Sequence, residues 1–179
     1  MNTINNARKK ESKRKIEKAF MQLIQTKEIN EITVTDLVKN AKINRSTFYA
    51  NYLDIYDLAK QLKDRMFQDI LELYQEEAIK QKHSYDYLKL FKHIKDNQIY
   101  YKTMFKLNFD FMNYYDNHLE YDDAIKYYGT TKNIDYHIEF FKAGISAIIK
   151  KWLLNGCIES PEEMIEIINS EYKGKSLEK

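Results

Sequence analysis

The stretch ITVTDLVKNAKINRSTFYANY, residues 32–52, gathers Asn44, Arg45, Ser46, Thr47, Tyr49 and Tyr52. Such side chains suit recognition rather than bond-making. An arginine guanidinium donates two parallel hydrogen bonds to guanine O6 and N7, a contact worth about 1–3 kcal/mol of discrimination. The hydroxyls of Thr33, Thr35, Thr47, Tyr49 and Tyr52 suit phosphate oxygens, which set register rather than sequence. Upstream, RKKESKRKIEK at 8–18 carries seven basic and two acidic side chains, +5 in a chain whose net charge is +2. This arm, led by Arg8, Lys9 and Lys10, suits a polyanion.

Positioning these groups takes short helices. Ile16, Ala19, Phe20, Leu23 and Ile24 recur at helical spacing and predict a first helix over about residues 6–27. Thr33 reads as an N-cap with Asp36 at the capping-box position, and Ile32 and Leu37 are spaced as a hydrophobic staple, giving a second helix at 34–40. The pattern repeats with Asn44 as cap and Ile43 and Phe48 as staple, giving a third at 45–51. Asp54 caps a long fourth helix, with Leu53 and Leu58 as its staple pair. A long helix and two short ones joined by a three-residue turn form a helix-turn-helix, whose last helix presents its N-terminal residues to a DNA major groove. Phe48 is expected on the opposite side, in the core.

Further along, residues 84–128 read as two or three helices. After GTTKN at 129–133, an apolar stripe from Ile134 to Trp152 marks a helix that ends at Asn155-Gly156. Phe140, Ile149 and Leu153 add a second apolar face. Ser160-Pro161-Glu162-Glu163 then opens a last helix with an N-cap, a proline at N1 and a capping-box glutamate. The expected fold is all-α, about nine helices: a helix-turn-helix DNA-binding domain at 1–53 and a C-terminal effector-binding and dimerisation domain at 54–179. Four glycines and one proline agree with long helices and short joints.

The residues TVTDLVKNAKINRSTFYANYLDIYDL resemble the DNA-binding signature of TetR-type transcriptional regulators: a Thr-led second helix, a turn, a polar third-helix start, then Tyr and an aromatic three residues later. FFKAGISAIIKKWLLNGCIESPEEM, at 140–164, resembles a C-terminal domain of one TetR subfamily. The resemblance implies an Ω-shaped homodimer, packed through the helices around 134–155 and 160–173, on a palindromic double-stranded DNA operator. It also implies a small-molecule effector in the C-terminal core, and most often repression. Carried over by position, Thr33 starts the phosphate-binding second helix, Arg45 takes a base-contacting place, and Thr47, Tyr49 and Tyr52 line the groove or touch the backbone. Two departures stand out. Ile55 replaces a frequent phosphate-binding lysine, whose charge Arg8, Lys9, Lys10, Lys13 and Arg14 are placed to supply, and Lys42 replaces a turn glycine. The rival reading is a TetR-fold protein that has lost operator binding and docks onto another protein.

No apolar run approaches the roughly 18–20 residues of a membrane span, so a cytoplasmic protein is expected. The sequence contains no Gly-rich phosphate loop, CxxC or HExxH motif, so neither an enzyme nor a cofactor is expected. His118 and Asp122 share a helical face by spacing, but no metal site is expected of them. Cys157 reads as a packed small residue.

Overall fold

The computed structural model describes residues 3–75, 87–109, 125 and 129–173. All helices among them are joined without strands, and the fold is all-α. The helices are α1 (Thr3–Leu23), α2 (Val34–Ala41), α3 (Arg45–Tyr49), α4 (Ile55–Leu73), α5 (Tyr87–Asp96), α6 (Gln98–Lys106), α7 (Ile134–Leu154) and α8 (Pro161–Lys173). A 3₁₀ turn, Ile29–Glu31, lies in the connector after α1. The chain divides into two compact units: the residues up to Ile70 with Lys102–Phe109, and Leu71–Tyr101 with the described residues beyond 109.

In the first unit the apolar stripe of α1 is buried as its spacing requires: Ile16, Ala19, Phe20 and Ile24 are at most 2% exposed. Leu37, Phe48, Leu58 and Leu62 are buried with them. Local chemistry starts α2. The Thr33 hydroxyl accepts from the Asp36 N–H at 3.1 Å, and the Asp36 carboxylate accepts from the Thr33 N–H at 3.4 Å. Lys27 reaches the same carboxylate at 3.1 Å. Lys42 ends α2 in the left-handed region (φ 53°, ψ 50°), with the Ile43 N–H closing onto the Val38 carbonyl at 3.1 Å. This is a helix end that glycine would occupy without the Cβ clash.

The expected staple across the start of α4 is not formed. Leu58 is buried but Leu53 is 80% exposed. The Leu53 N–H instead donates to the Asp57 carboxylate at 2.9 Å, while the Asp57 N–H donates to Asp54 Oδ1 at 2.8 Å. Polar capping fixes the chain's entry here.

In the second unit, Phe91 of α5 meets Trp152 of α7 edge-on at 5.3 Å. Trp152 Nε1 and Lys95 Nζ both donate to the Glu159 carbonyl, at 3.2 and 3.1 Å. The Lys92–Glu162 pair, at 3.1 Å, links α5 to α8. The start of α8 follows its sequence signal: the Ser160 N–H donates to Glu163 at 2.6 Å, and the Glu163 N–H to the Ser160 hydroxyl at 3.1 Å. Cys157 is buried and bonds to the Trp152 carbonyl through its N–H at 2.9 Å. The second apolar face of α7 is divided: Ile149 and Leu153 are core, whereas Phe140 is 74% exposed.

Two predictions follow from these helix ends. Lys42→Gly removes the left-handed Cβ penalty and raises stability by about 1 kcal/mol, read as a higher urea midpoint; a lower midpoint would refute the strain. The carboxyls of Asp36 (through Lys27, then Thr33), Asp57 (through the Leu53 N–H, then Gln61) and Glu163 (through Ser160) lie below their ordinary values. A depressed folded-state pKa stabilises fully above the unfolded value, about 4, and the effect is lost as pH falls through the folded value. Thermal melts should therefore hold level down to about pH 5 and drop below about 4, with a shallower drop in Asp36→Asn.

Candidate nucleic-acid interface

Helix α3 has five residues, and its two sides are chemically opposite. Phe48 is fully buried, whereas Asn44, Arg45, Ser46 and Tyr49 are exposed and Thr47 is half-buried. Asn44 occupies the N-cap position in an extended conformation, but its side chain makes no cap hydrogen bond. Its amide is thus presented outward at the start of the helix.

Arg45 is held across the two short helices. One Nη donates to the Thr35 hydroxyl at 3.5 Å and the other to the Tyr49 hydroxyl at 3.1 Å, with the guanidinium 5.5 Å from the Tyr49 ring centre. All three side chains are exposed, so these are weak contacts that a stronger acceptor displaces at little cost. Thr33 is exposed, and its hydroxyl serves the α2 cap.

Tyr52 does not join this group. It is 2% exposed, and its hydroxyl donates to Glu17 Oε1 at 2.8 Å. Arg65 of α4 contacts the same oxygen at 2.6 Å. Burial first, and then the Glu17 charge, push the Tyr52 phenol far above its ordinary pKa. The phosphate contact expected of Tyr52 has no hydroxyl left to make it. Sequence reasoning missed Glu17 and Arg65. The available signal was register: Glu17 falls in line with Lys13, Phe20 and Ile24 on the inward side of α1.

On the basic arm, Arg8, Lys9 and Lys10 are exposed along α1. Lys13 is engaged inward, bonding Gln61 Oε1 at 3.3 Å with its ammonium 5.4 Å from the Tyr52 ring centre. Arg14 pairs with Glu11 at 3.0 Å. Ile55, standing at the family's lysine position, is buried. His118 and Asp122 lie outside the described residues, and among those described no group of three His, Cys, Asp or Glu side chains forms a metal cluster. Among them, too, no helix is long and apolar enough to cross a membrane.

Residues 82–170 match the family described as "Transcriptional regulator C-terminal region", one of the TetR C-terminal families. The HTH-type dhaKLM operon transcriptional activator DhaS of Lactococcus lactis subsp. lactis (strain IL1403) is 26% identical over 153 residues, covering 79% of each chain. A solved structure of a dihydroxyacetone kinase operon activator DhaS superposes with a TM-score of 0.52 at 22% identity, over 90% of this chain and 96% of that one. Fold and comparisons define the class, an all-helical regulator of transcription. The chain's C-terminal half, residues 82–170, belongs to the TetR-type family of such regulators, and the chain as a whole is similar to a regulator of that kind.

The geometry separates presented side chains from structural ones. Arg45→Ala and Tyr49→Phe should leave stability within about 0.5 kcal/mol of the parent, as exposed substitutions do. Thr33→Ala should cost about 1 kcal/mol through the lost cap. Urea denaturation checks both, and a large loss in Arg45→Ala would make that side chain structural.

Proposed function

We propose that this protein is a cytoplasmic, sequence-specific regulator that binds a palindromic double-stranded DNA operator as a homodimer. Residues 1–53 would form the DNA-binding head, and residues 54–179 the effector-binding and dimerisation domain. The observation that carries the reading is the outward face of α3: Arg45, poised between Thr35 and Tyr49, beside the uncapped Asn44 and Ser46. A helix of this kind fits a major groove about 12 Å wide with its first residues at the base edges. Thr33, Thr35, Thr47 and Tyr49 would bond phosphates, and Arg8, Lys9 and Lys10 would add salt-dependent attraction.

The C-terminal helices support a two-fold partner. Tyr136, Phe140, Ala143, Ala147 and Leu154 form an exposed stripe on α7, with Tyr136 78%, Phe140 74% and Leu154 72% exposed. A hollow of about 360 Å³ beside it is lined by Ala147, Ile148, Trp152, Met164 and Ile167 among others. The small Ala143 and Ala147 would let a second copy of α7 approach closely. Two heads would then stand about 34 Å apart, or a multiple of it, across the operator.

The proposed direction is repression, relieved by a small molecule that binds one arrangement of the C-terminal helices better than another. The DhaS relative is an activator. A promoter fusion reads the sign directly: deleting the gene raises expression under repression and lowers it under activation. The rival, docking onto a protein, is favoured by the buried Ile55 and by the exposure of Leu53 and Tyr56. A genome-wide binding selection that enriches no sequence would turn the assignment to it.

Fluorescence anisotropy on the DNA upstream of the protein's own gene should show a steep negative salt slope and preference over a scrambled duplex. Arg45→Ala should cut the preference by about tenfold, a loss of about 1–3 kcal/mol. Equal binding to both duplexes, unchanged by Arg45→Ala, would count against base readout. Light scattering should give twice the 21.6 kDa chain mass, reduced to one chain mass in Ala147→Glu.

A further inference from the structure

The Tyr52–Glu17–Arg65 cluster is a polar knot with a specific address, buried at Tyr52 and Glu17 and open to solvent at Arg65. Glu17 is on α1 and 7% exposed; Tyr52 lies three residues beyond the last residue of α3; Arg65 is on α4. One carboxylate oxygen, Glu17 Oε1, takes both the Tyr52 hydroxyl at 2.8 Å and the Arg65 guanidinium at 2.6 Å. Around it, Lys13 lies against the Tyr52 ring and bonds Gln61. Gln61 bonds both Asp57 oxygens at 3.1 and 3.0 Å, and Asp57 holds the Leu53 N–H. The segment that follows α3 is therefore gripped by polar side chains from both α1 and α4.

Apolar packing alone would bury Tyr52 as a phenylalanine at less desolvation cost, since paired buried charges often stabilise less than apolar replacements. What hydrogen bonds add is direction. A five-residue helix has almost no stiffness of its own, so the angle at which it stands is set by its anchors. Phe48 fixes its depth, and Tyr52 is placed to fix its rotation. We propose that Glu17, acting through Tyr52 and supported by Arg65, is a positioning residue for DNA recognition: it sets the pose in which α3 presents Arg45 and Asn44. This rests on the DNA-binding reading above. None of the three side chains touches DNA on this view. Breaking the knot should therefore weaken operator binding while sparing phosphate attraction.

Tyr52→Phe keeps the ring and removes the bond; Glu17→Gln is the second variant, and the double variant closes the cycle. Each is measured well below its own melting temperature. Tyr52→Phe should bind the operator about tenfold more weakly, the scale of one hydrogen bond to a charged group. Its affinity for scrambled DNA and its salt slope should stay at the parent's values. The double variant should lose no more than the worse single one. In the absence of DNA, amide exchange should speed up over residues 45–53 and stay unchanged in α2. Equal losses on operator and scrambled DNA, or exchange raised throughout the first unit, would assign the knot to stability alone and overturn the proposal. So would parent-like affinity and exchange in Tyr52→Phe. Should the parent itself show no sequence preference on any duplex, the DNA-binding reading falls. The exchange pattern then decides alone whether the knot positions α3.

Discussion

A helix of five residues cannot hold itself in place. Forming one turn fixes several backbone dihedrals for a single hydrogen bond, so an isolated α3 would be unfolded almost all the time. Everything around it can be understood as support for that weak element. Phe48 plugs it into the core, with the Tyr52 ring centre 5.8 Å from its own. The left-handed Lys42 turns the chain from α2 into α3 within three residues, and the Thr33–Asp36 box with Lys27 steadies α2 beneath the turn. With support concentrated on the inward side, the outward side is free to carry groups chosen for recognition.

The same constraint sorts the polar residues by role. Contacts of Arg45 with Thr35 and Tyr49 are exposed and exchangeable, which suits a side chain that on the proposed reading leaves them for a base edge. The Tyr52–Glu17 bond is buried, and in a low-dielectric surround a charge-assisted hydrogen bond is stronger and its loss more costly. The basic arm divides in the same way. Lys13 is turned inward to brace Tyr52, so less of the +5 segment faces solvent than its composition suggests.

Most of the fold was legible because its signals are local. The Thr33 and Ser160 caps and the Gly156 helix end all involve residues three to five apart, and the structure realises them, whereas Asn44 takes the N-cap position of α3 without a side-chain cap bond. The start of α4 misled because a staple and a polar cap compete for the same residues: Asp57 satisfied the Leu53 N–H and left the Leu53 side chain in water. Tyr52 misled for a different reason. Tyrosine is amphipathic, and its hydroxyl serves a phosphate or a buried carboxylate equally well. The deciding partner, Glu17, lies 35 residues away. Phe140 shared an expected second apolar face with Ile149 and Leu153, yet that face divides: the latter two are core and Phe140 is exposed, so α7 has more apolar circumference than the described residues of its unit cover.

That surplus bears on the missing lysine. With Ile55 buried and Lys13 and Arg14 engaged, a single head offers a phosphate backbone fewer cations than the family pattern and the arm's composition suggest, and each phosphate contact given up lowers affinity and flattens its salt dependence. On the proposed dimeric reading, the loss matters less. A second head held by the same pair of bodies meets its half-site at an effective concentration far above that of free protein, so modest affinities multiply without any new contact. Such gain is realised only if both heads present α3 in matching poses, because a misdirected helix forfeits the second binding event entirely. A head that has given up such contacts therefore depends on orientation in both copies, and on the proposed reading the directional hydrogen bonds at Glu17 set it.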